Sequence, residues 1–307
     1  MWPDKRHGAS KVSGSACYGN ITAAIGDTPV VGLRRTQSGA TLWAKLEGLG
    51  PGGGQTDRTA LAMLQEATRA GKLPAEGGQV LVADHSDFAV SLAMCCAARQ
   101  HSLTVVAPEG LSHRFRSLLA VYGARMVETP FIQGSEGARR LAANLANPGN
   151  LLLSPDDDPA GPLAHFRSTG PELAAAFDET GLDALVVWVQ TGASLTGLGR
   201  LLRRRWPALL VIGVELASDQ RLAEDSLLPA PPLLDRRCLD RAVAVPDGLA
   251  RQAVGELARG QGILTALNGG AVYAAARSLA GELDEDRHVC FLLPTHGERE
   301  LVSVIPV

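Results

Sequence analysis

Short apolar runs alternate along this chain with longer stretches of helical periodicity. The apolar runs are rich in Val, Leu and Ala, as is typical of strands buried on both faces. The predicted strands span residues 41–47, 79–83, 103–107, 126–128, 184–189, 209–215, 264–270 (ending in a glycine turn) and 288–293. The predicted helices span residues 59–70, 88–99, 113–122, 135–145, 170–179, 195–204, 248–259 and 271–283.

This order of elements predicts an α/β protein of two doubly wound lobes with largely parallel sheets. Strands that alternate with helices favour parallel sheets covered on both faces, and a ligand cleft is expected at the strand carboxyl ends, between the lobes. A length of 307 residues suits such a bilobal unit. No internal repeat interrupts the pattern.

The polar residues 1–20 lack periodicity and are predicted to form a flexible N-terminal arm. The smaller lobe is predicted at 48–148, and the larger lobe at 21–47 plus 149–307. The segment 147–162 is rich in Pro, Asn, Gly and Asp, and is therefore predicted to be a loop at the seam between the lobes.

One loop carries the strongest sign of a ligand site. Residues 50–58 read Gly-Pro-Gly-Gly-Gly-Gln-Thr-Asp-Arg and lead into the first predicted helix. Glycines let a backbone approach a ligand closely, and a helix N-terminus attracts anions. The segment therefore predicts a ligand-binding loop.

The composition limits which kinds of partner and which cellular compartment are expected. A formal net charge of −3 gives no basis for binding nucleic acid or an anionic membrane. The chain has no signal peptide and no apolar run of membrane-spanning length, so we expect a cytoplasmic protein. The five cysteines show no metal-ligand or disulfide spacing. The lysines are Lys5, Lys11, Lys45 and Lys72, which limits where amine chemistry could occur.

The order of several motifs resembles the cysteine synthase (O-acetylserine sulfhydrylase) and cystathionine β-synthase family. The motifs are Ile-Gly-Asp-Thr-Pro at 25–29, Ala-Lys-Leu-Glu at 44–47, Pro-Glu at 108–109, Tyr-Gly-Ala at 122–124, His-Phe-Arg-Ser-Thr-Gly-Pro-Glu at 165–172 and Gly-Glu-Arg at 297–299. The resemblance implies a pyridoxal-phosphate enzyme of fold type II, like the tryptophan synthase β-subunit, with its active-site cleft between the lobes.

The chain departs from this family at the cofactor lysine. The family loop reads like Pro-Gly-Gly-Ser-Val-Lys-Asp-Arg, and its lysine forms the Schiff base. Aligned on Asp57 and Arg58, that position is Thr56. A hydroxyl forms no imine and cannot shuttle a proton as a free amine does. Lys45 matches a separate family lysine, and we interpret it as a framework residue.

The resemblance also implies a loop, Thr-Ser-Gly-Asn-Thr-Gly, that binds the substrate carboxylate. The equivalent residues here are Asp84, His85, Ser86, Asp87, Phe88 and Ala89. Carboxylate side chains repel a carboxylate ligand. We therefore expect Asp84–Phe88 to form a binding loop that no longer suits an amino acid.

Two further family positions have changed. The Gly-Thr-Gly-Gly-Thr turn that holds the cofactor phosphate corresponds to Gln190, Thr191, Gly192, Ala193 and Ser194. This turn still precedes a predicted helix, so binding of a phosphate or other small anion is expected. The family serine that binds the pyridine nitrogen is placed at His296, and the glycine loop beside the ring corresponds to the proline-rich segment 228–237.

Together these changes favour a catalytically inactive, cysteine synthase-like pseudoenzyme. It would act as a binding, regulatory or partner subunit in amino-acid or natural-product metabolism, as a homodimer or as a heterodimer with an active paralogue or pathway enzyme. We expect no cofactor, or pyridoxal phosphate only as a non-covalent ligand.

Two alternatives stay open. In the first, His85 with Asp84 or Asp87 performs acid–base chemistry in a rebuilt pocket that also holds Thr56 and His296. In the second, the protein is a β-replacement enzyme of the cysteine synthase type with non-standard cofactor binding.

Overall fold

The computed structural model describes residues 17–34, 39–219, 221–222 and 230–299. Residues 1–16 of the predicted arm, and residues 228 and 229 of the proline-rich segment, lie outside this range. Within it, no helix combines the length and apolar character needed to cross a membrane.

The described strands form two sheets. The larger is six-stranded with the order β1-β2-β10-β7-β8-β9, and the smaller is four-stranded with the order β5-β4-β3-β6. β1 runs antiparallel to β2, and the other neighbours are parallel. The strands are β1 (Val30–Gly32), β2 (Thr41–Leu46), β3 (Gln79–Ala83), β4 (Ser102–Pro108), β5 (Arg125–Thr129), β6 (Leu151–Leu153), β7 (Ala184–Trp188), β8 (Leu210–Leu216), β9 (Arg241–Val245) and β10 (His288–Leu293).

Helices cover both faces of each sheet. They are α1 (Thr56–Arg69), α2 (Asp87–Ala98), α3 (His113–Val121), α4 (Gly134–Leu145), α5 (Ala160–Arg167), α6 (Thr169–Ala176), α7 (Ala193–Arg205), α8 (Asp247–Gln261) and α9 (Leu267–Glu282). Successive side chains of β7 show why two layers form. Ala184 and Val186 pack in the core with α8 and α9, whereas Leu185 and Val187 pack in the core with α7. The structure confirms the predicted two-lobed α/β fold.

The predicted boundary between the lobes needs a correction. Residues 149–162 were predicted as loop and assigned with the larger lobe, but Leu151–Leu153 is β6, the edge strand of the smaller sheet. Its main chain pairs with β3, from Val80↔Leu151 to Val82↔Leu153. Three residues are too few for a periodic signal, so the strand depends on this pairing.

Other differences between the predicted and observed secondary structure concern short elements or elements that contain glycine. The strand predicted at 264–270 does not form, because α9 begins at Leu267 and includes both glycines. Strands β1 and β9 and helix α5 were not predicted. β9 pairs with β8 at the edge of the larger sheet, and most of its side chains are exposed. Its sequence therefore lacks the continuous apolar run that predicts a buried strand.

A buried cluster of charges joins the two lobes beneath the glycine loop. Arg58 on α1 donates to Glu47 (Nε–Oε2, 2.7 Å) and to Glu172 (Nη1–Oε1, 2.6 Å). Lys45 donates to Glu172 Oε2 at 2.5 Å and to the Thr28 carbonyl at 2.6 Å. The cluster anchors the start of α1 against the larger lobe, because Lys45, Glu47 and Arg58 are buried, Glu172 is mostly buried, and their charges are paired.

Candidate functional site

A cleft opens between the lobes at the carboxyl ends of the strands. Its main cavity has a volume of about 450 Å³, which is in the range of small-molecule sites. Both lobes contribute side chains to its wall. They include Gln55, Thr56, His85, Asp87, Trp188, Gln190, Asn268, Thr295 and Arg299.

A smaller inner cavity continues from the main one. The two cavities share Gln55, Thr56, Ser86, Trp188 and Gln190. The inner cavity extends to Asp84, Asp156, His165 and the turn Thr191–Ser194. The structure therefore brings together three regions that the sequence analysis singled out: the glycine loop, the 84–88 loop and the 190–194 turn.

The glycine loop is held in a fixed shape by the residue after Thr56. Asp57 Oδ2 accepts a hydrogen bond from the Gly52 amide at 2.7 Å. A Cβ atom at Gly52 would lie 2.1 Å from Asp57 Oδ1, so a larger residue cannot occupy this position. The Gln55 amide donates to the Pro294 carbonyl at 2.8 Å and so joins the loop to the end of β10.

Thr56 begins α1 and faces the cleft, but its hydroxyl is part of a short chain of hydrogen bonds. Thr56 Oγ1 lies 2.9 Å from Ser91 Oγ, and Ser91 Oγ donates to Asp57 Oδ1 at 2.6 Å. Because Ser91 gives its own proton to the carboxylate, its oxygen accepts the proton of Thr56. Burial raises the pKa of Asp57, although the Ser91 and Gly52 bonds oppose the shift. Thr56 therefore presents lone pairs, not a proton, to the cleft.

None of the lysines in the described residues lines the cleft. Lys45 is 1% exposed and is held by Glu172 and Thr28. Burial opposes ionisation of Glu172, but the hydrogen bonds and charges of Arg58 and Lys45 outweigh it and lower the Glu172 pKa to about 2. Lys72 is exposed in the turn that follows α1. The interpretation of Lys45 as a framework residue agrees with these contacts.

Asp84 bonds to the start of α2 within its own loop. Its Oδ1 accepts from the Ser86 amide at 2.8 Å, the Ser86 hydroxyl at 2.9 Å and the Ala89 amide at 3.1 Å. Ser86 Oγ in turn accepts from the Phe88 amide at 3.2 Å. Burial raises the pKa of Asp84, and these donors work against the shift. A carboxylate of the chain itself thus occupies the donors at this helix N-terminus.

Asp87 spans the cleft from the smaller lobe to the larger one. It accepts from Arg299 Nη1 at 2.8 Å and from Thr295 Oγ1 at 3.0 Å. His85 is exposed at the rim of the cleft, and no hydrogen bond in the described part of the chain joins its ring to Asp84 or Asp87. The proposed acid–base pair is therefore not assembled in this structure.

The 190–194 turn forms the N-terminus of α7. Gly192 has φ of +89° and a Cβ atom there would lie 2.5 Å from the Leu234 amide nitrogen, so only glycine fits. Thr191 Oγ1 accepts from the Ala193 amide at 3.3 Å. Ser194 lines the inner cavity at the positive end of the helix. Anion binding here stays a prediction that the geometry permits.

The position predicted for the ring-nitrogen partner needs a correction. His296 lies outside both cavities of the cleft and lines a separate apolar cavity with Leu46, Leu49 and Leu264. The preceding residue, Thr295, lines both the cleft and this apolar cavity. Its hydroxyl donates to Asp87 Oδ2 at 3.0 Å, so its proton is already committed within the chain.

Sequence reasoning missed two residues that line the cleft and one buried residue behind its wall. The buried residue is Ser91, which bonds to Thr56 and lies within an apolar helix predicted as core. Trp188 ends β7 and lines both cavities. Gln55 lines both as well, and its Oε1 is buried without a hydrogen-bond partner in the described residues. A polar residue in an apolar helix and an aromatic residue at a strand end were the available signals.

This combination of a two-lobed parallel fold, a glycine loop before a helix and a second helix N-terminus in one cleft defines a class of cofactor-binding enzyme. A family model described as "Pyridoxal-phosphate dependent enzyme" matches residues 21–295. The chain belongs to this family, and the resemblance drawn from its motifs is confirmed.

Relatives and solved structures agree with this assignment. A cysteine synthase of Staphylococcus aureus is 33% identical over 295 residues, which cover 92% of this chain and 95% of the relative. The crystal structure of O-ureido-L-serine synthase has a TM-score of 0.88 and 31% identity, covering 93% of this chain and 94% of that one. A lysine-to-alanine mutant of that enzyme with O-ureido-L-serine bound has a TM-score of 0.86 and 31% identity, covering 93% and 92%.

The cofactor prediction is corrected by these findings. We expected no cofactor, or pyridoxal phosphate held only non-covalently. That prediction is wrong, because the matching family is pyridoxal-phosphate dependent and the relatives include cysteine synthases. Pyridoxal phosphate is the cofactor of the family to which this chain belongs.

The cleft fits the phosphate end of the cofactor. The N-terminus of α7, with Thr191 and Ser194, suits a phosphate. The Thr295 hydroxyl lines the cleft but donates its proton to Asp87. When bound, the cofactor supplies an electron sink for amino-acid chemistry. At the position of the family lysine, the chain offers the Thr56 oxygen.

Proposed function

We propose that this protein is a cysteine synthase-like family member that binds a phosphorylated ligand in the cleft but does not catalyse β-replacement. It acts as a binding, regulatory or partner subunit in amino-acid or natural-product metabolism. One observation carries the proposal: Thr56 stands where the family lysine belongs, and its proton is committed to Ser91.

The remaining cleft contacts support this reading. A β-replacement enzyme needs an amine to exchange protons with its substrate. No lysine of the described residues lines the cleft, because Lys45 is enclosed by Glu172 and Thr28. Asp84 fills the donors at the start of α2, where the resemblance places the substrate carboxylate. Amine and carboxylate site are therefore changed together.

Ligand binding without a cleft lysine has a parallel among the related structures. The lysine-to-alanine mutant of O-ureido-L-serine synthase holds O-ureido-L-serine. By analogy, the fold of this chain, with its phosphate-binding helix N-terminus, suits retention of a ligand without turnover. A partner role, as a homodimer or with an active paralogue, is proposed on the same grounds.

A turnover assay tests the proposal directly. Purified protein is saturated with pyridoxal phosphate and supplied with O-acetyl-L-serine and sulfide, and cysteine is measured. We expect no cysteine above the rate without protein, while Trp188 fluorescence changes as the phosphate ligand is added. Trp188→Phe serves as the control for the optical signal. Sustained multiple turnover would overturn the proposal in favour of a β-replacement enzyme.

A partner role is tested separately by mass and by activity. Light scattering reports whether the protein is a homodimer in solution. Mixing it with an active paralogue from the same cell should change the paralogue's kcat or KM. An unchanged rate at a molar excess of this protein, with no complex detected, would remove the partner role.

A rebuilt active site is the second candidate function. The Thr56–Ser91–Asp57 chain of hydrogen bonds favours it, since a carboxylate can draw a proton from a hydroxyl through a second hydroxyl. His85, Asp84 and Asp87 do not form such a chain. Under this alternative, Ser91→Ala abolishes a hydrolytic or transfer activity found by substrate screening, whereas His85→Ala leaves it intact. Loss of this activity in His85→Ala but not in Ser91→Ala would instead assign the acid–base role to His85.

A further inference from the structure

We propose that Asp87 and Arg299 form a latch across the main cavity, which must open before a ligand can reach the inner cavity. The latch consists of the Asp87 carboxylate at the start of α2 and of Thr295 and Arg299 in the larger lobe. It adds control over entry to the proposed function, and it rests on that function only for the identity of the ligand.

The inner cavity is smaller than the ligand that its donors suit. Its volume is about 50 Å³, well below the range of small-molecule sites. The N-terminus of α7 borders this cavity, and the main cavity leads to it. The structure therefore describes a closed cleft, whose walls have to move apart when a phosphorylated ligand enters.

Asp87 uses both carboxylate oxygens to hold the larger lobe. Oδ1 accepts from Arg299 Nη1 at 2.8 Å, and Oδ2 accepts from the Thr295 hydroxyl at 3.0 Å. All three residues line the main cavity, so these bonds lie in its wall. In the described part of the chain, no other side chain of α2 is hydrogen-bonded to the larger lobe, since Ser91 bonds within the smaller one.

The glycine loop leaves room for the Arg299 side chain. Gly53 has φ of +85°, and a Cβ atom there would lie 3.0 Å from Arg299 Nη2. The guanidinium therefore packs against Gly53 while it bonds to Asp87. One side chain thus contacts the glycine loop and the 84–88 loop, and both loops contribute residues to the two cavities.

The exposure of the pair suits a latch and not a permanent joint. The side chains of Asp87 and Arg299 are 29% and 14% exposed, whereas those of Glu47 and Arg58 in the buried cluster are 1% and 3% exposed. Water can replace the partners of a partly exposed pair, so such a pair opens at low cost. The buried cluster keeps the lobes joined while the latch opens.

Quenching by acrylamide measures the opening without any ligand. Acrylamide is neutral and Trp188 lines both cavities, so a wider cleft makes Trp188 fluorescence easier to quench. We expect Asp87→Ala and Arg299→Met each to raise the Stern–Volmer constant of Trp188 about twofold. The Trp188 signal is the difference between each protein and its Trp188→Phe counterpart.

Entry of pyridoxal phosphate tests the consequence for binding. In stopped-flow measurements of Trp188 fluorescence, both variants should raise the association rate constant about fivefold, which corresponds to about 1 kcal/mol. Asp87→Ala and Arg299→Met change the charge of the cavity in opposite directions, so electrostatic attraction alone would shift the rate constant in opposite directions. The double variant should match the faster single variant, because both substitutions open the same latch.

Two control variants leave the latch intact. Arg114→Met removes a cation from the wall of the same main cavity. Asp247→Ala removes the carboxylate at the start of α8, as Asp87→Ala does at the start of α2. Neither should raise quenching or the rate constant of entry. The emission that remains in the Trp188→Phe counterparts should keep its quenching, because a general loosening of the fold would raise it too.

The outcomes separate the latch from the proposed function. Unchanged quenching in Asp87→Ala and Arg299→Met would overturn the latch, and so would rate constants that move in opposite directions. Raised quenching with an unchanged rate constant would show an opening that does not control entry, which also overturns it. Raised quenching without any fluorescence response to pyridoxal phosphate would support the latch and contradict the proposed binding function.

Discussion

Arg58 and Thr56 lie within one turn of the same helix, yet they face regions of opposite character. Arg58 points into a buried cluster in which every charge has a partner, with Glu47 and Glu172 at 2.7 and 2.6 Å. Thr56 lines the cleft, and beside it Gln55 Oε1 is buried with no hydrogen-bond partner among the described residues. The buried cluster fixes the fold, whereas the cleft retains unsatisfied groups.

The difference concerns how much a substitution costs on each side of α1. The cluster joins the lobes, so a change in one member leaves the others buried without partners. Among the described residues, the Thr56 side chain hydrogen-bonds to Ser91 alone, and otherwise it borders a cavity. Substitution is therefore costly on one side of α1 and cheap on the other.

The largest expected effect on stability is in the buried charge cluster around Arg58. Arg58→Met should lower the free energy of unfolding by about 3–5 kcal/mol, because Glu47 is left buried without its cation and Glu172 keeps only Lys45. Urea unfolding measures the loss. Arg69→Met, on the same helix with a side chain 60% exposed, should change stability by less than about 0.5 kcal/mol. Equal effects of the two variants would contradict the comparison.

A second effect depends on pH and concerns His165, which lies between the two regions. Burial lowers the pKa of His165 to about 4. The unfolded chain binds this proton more readily, so the stabilisation is complete above the unfolded pKa near 6.5 and is lost as pH falls towards 4. The loss amounts to about 2 kcal/mol at pH 5.

The pH effect is measured by urea unfolding at pH 8 and pH 5. When the pH falls from 8 to 5, the His165→Gln variant should lose about 2 kcal/mol less stability than the wild type. His113→Gln, at an exposed site on α3, should keep the wild-type dependence. A His165 variant with an unaltered pH dependence would show that the buried imidazole is not the titrating group.

A smaller effect on stability is expected for Asp87, which crosses the cleft from one lobe to the other. Asp87→Ala removes the contacts with Arg299 and Thr295 and should cost about 1 kcal/mol, since the pair is partly exposed. Hydrogen exchange should rise at the start of α2 and at residues 294–299. Asp178→Ala, which removes an exposed ion pair with Arg205, is the control. Exchange that rises equally in both would argue against a bridge between lobes.

The smallest effect is expected at Thr56 itself. Thr56→Val keeps the shape but removes one hydrogen bond, so stability should fall by only about 0.5–1 kcal/mol. Thr56→Ser should be near neutral. A loss of stability as large as that of Arg58→Met would mean that Thr56 is part of the framework after all.

Much of the fold could be predicted because its strands are buried on both faces. β7 and β10 form continuous apolar runs, and α1, α7 and α8 have clear helical periods. The short strand β6 and the exposed edge strand β9 could not be predicted, since their place depends on pairing with a neighbouring strand. Local pattern carries no information about such pairing.

The candidate site was predicted as a set of loops but not as a set of contacts. The sequence places Asp84 and Asp87 in one loop, yet only coordinates show that Asp84 turns back onto its own helix while Asp87 crosses to Arg299. His296 was placed at the ring-nitrogen position, but it lies outside both cavities of the cleft, and only coordinates show that. Ser91 was not recognised as a site residue, because the residues around it in α2 are apolar.

The open wall at position 56 has an evolutionary consequence. Some threonine codons differ from lysine codons by a single base, and a side chain that borders a cavity of about 450 Å³ can lengthen without disturbing the core. Thr56→Lys is therefore expected to bring an amine into the cleft at little cost in stability. Asp84 would still hold the donors at the start of α2, so a match to the carboxylate loop that the resemblance implies needs a second, independent substitution. Two separate helix N-termini, not one loop, set this chain apart from the family pattern.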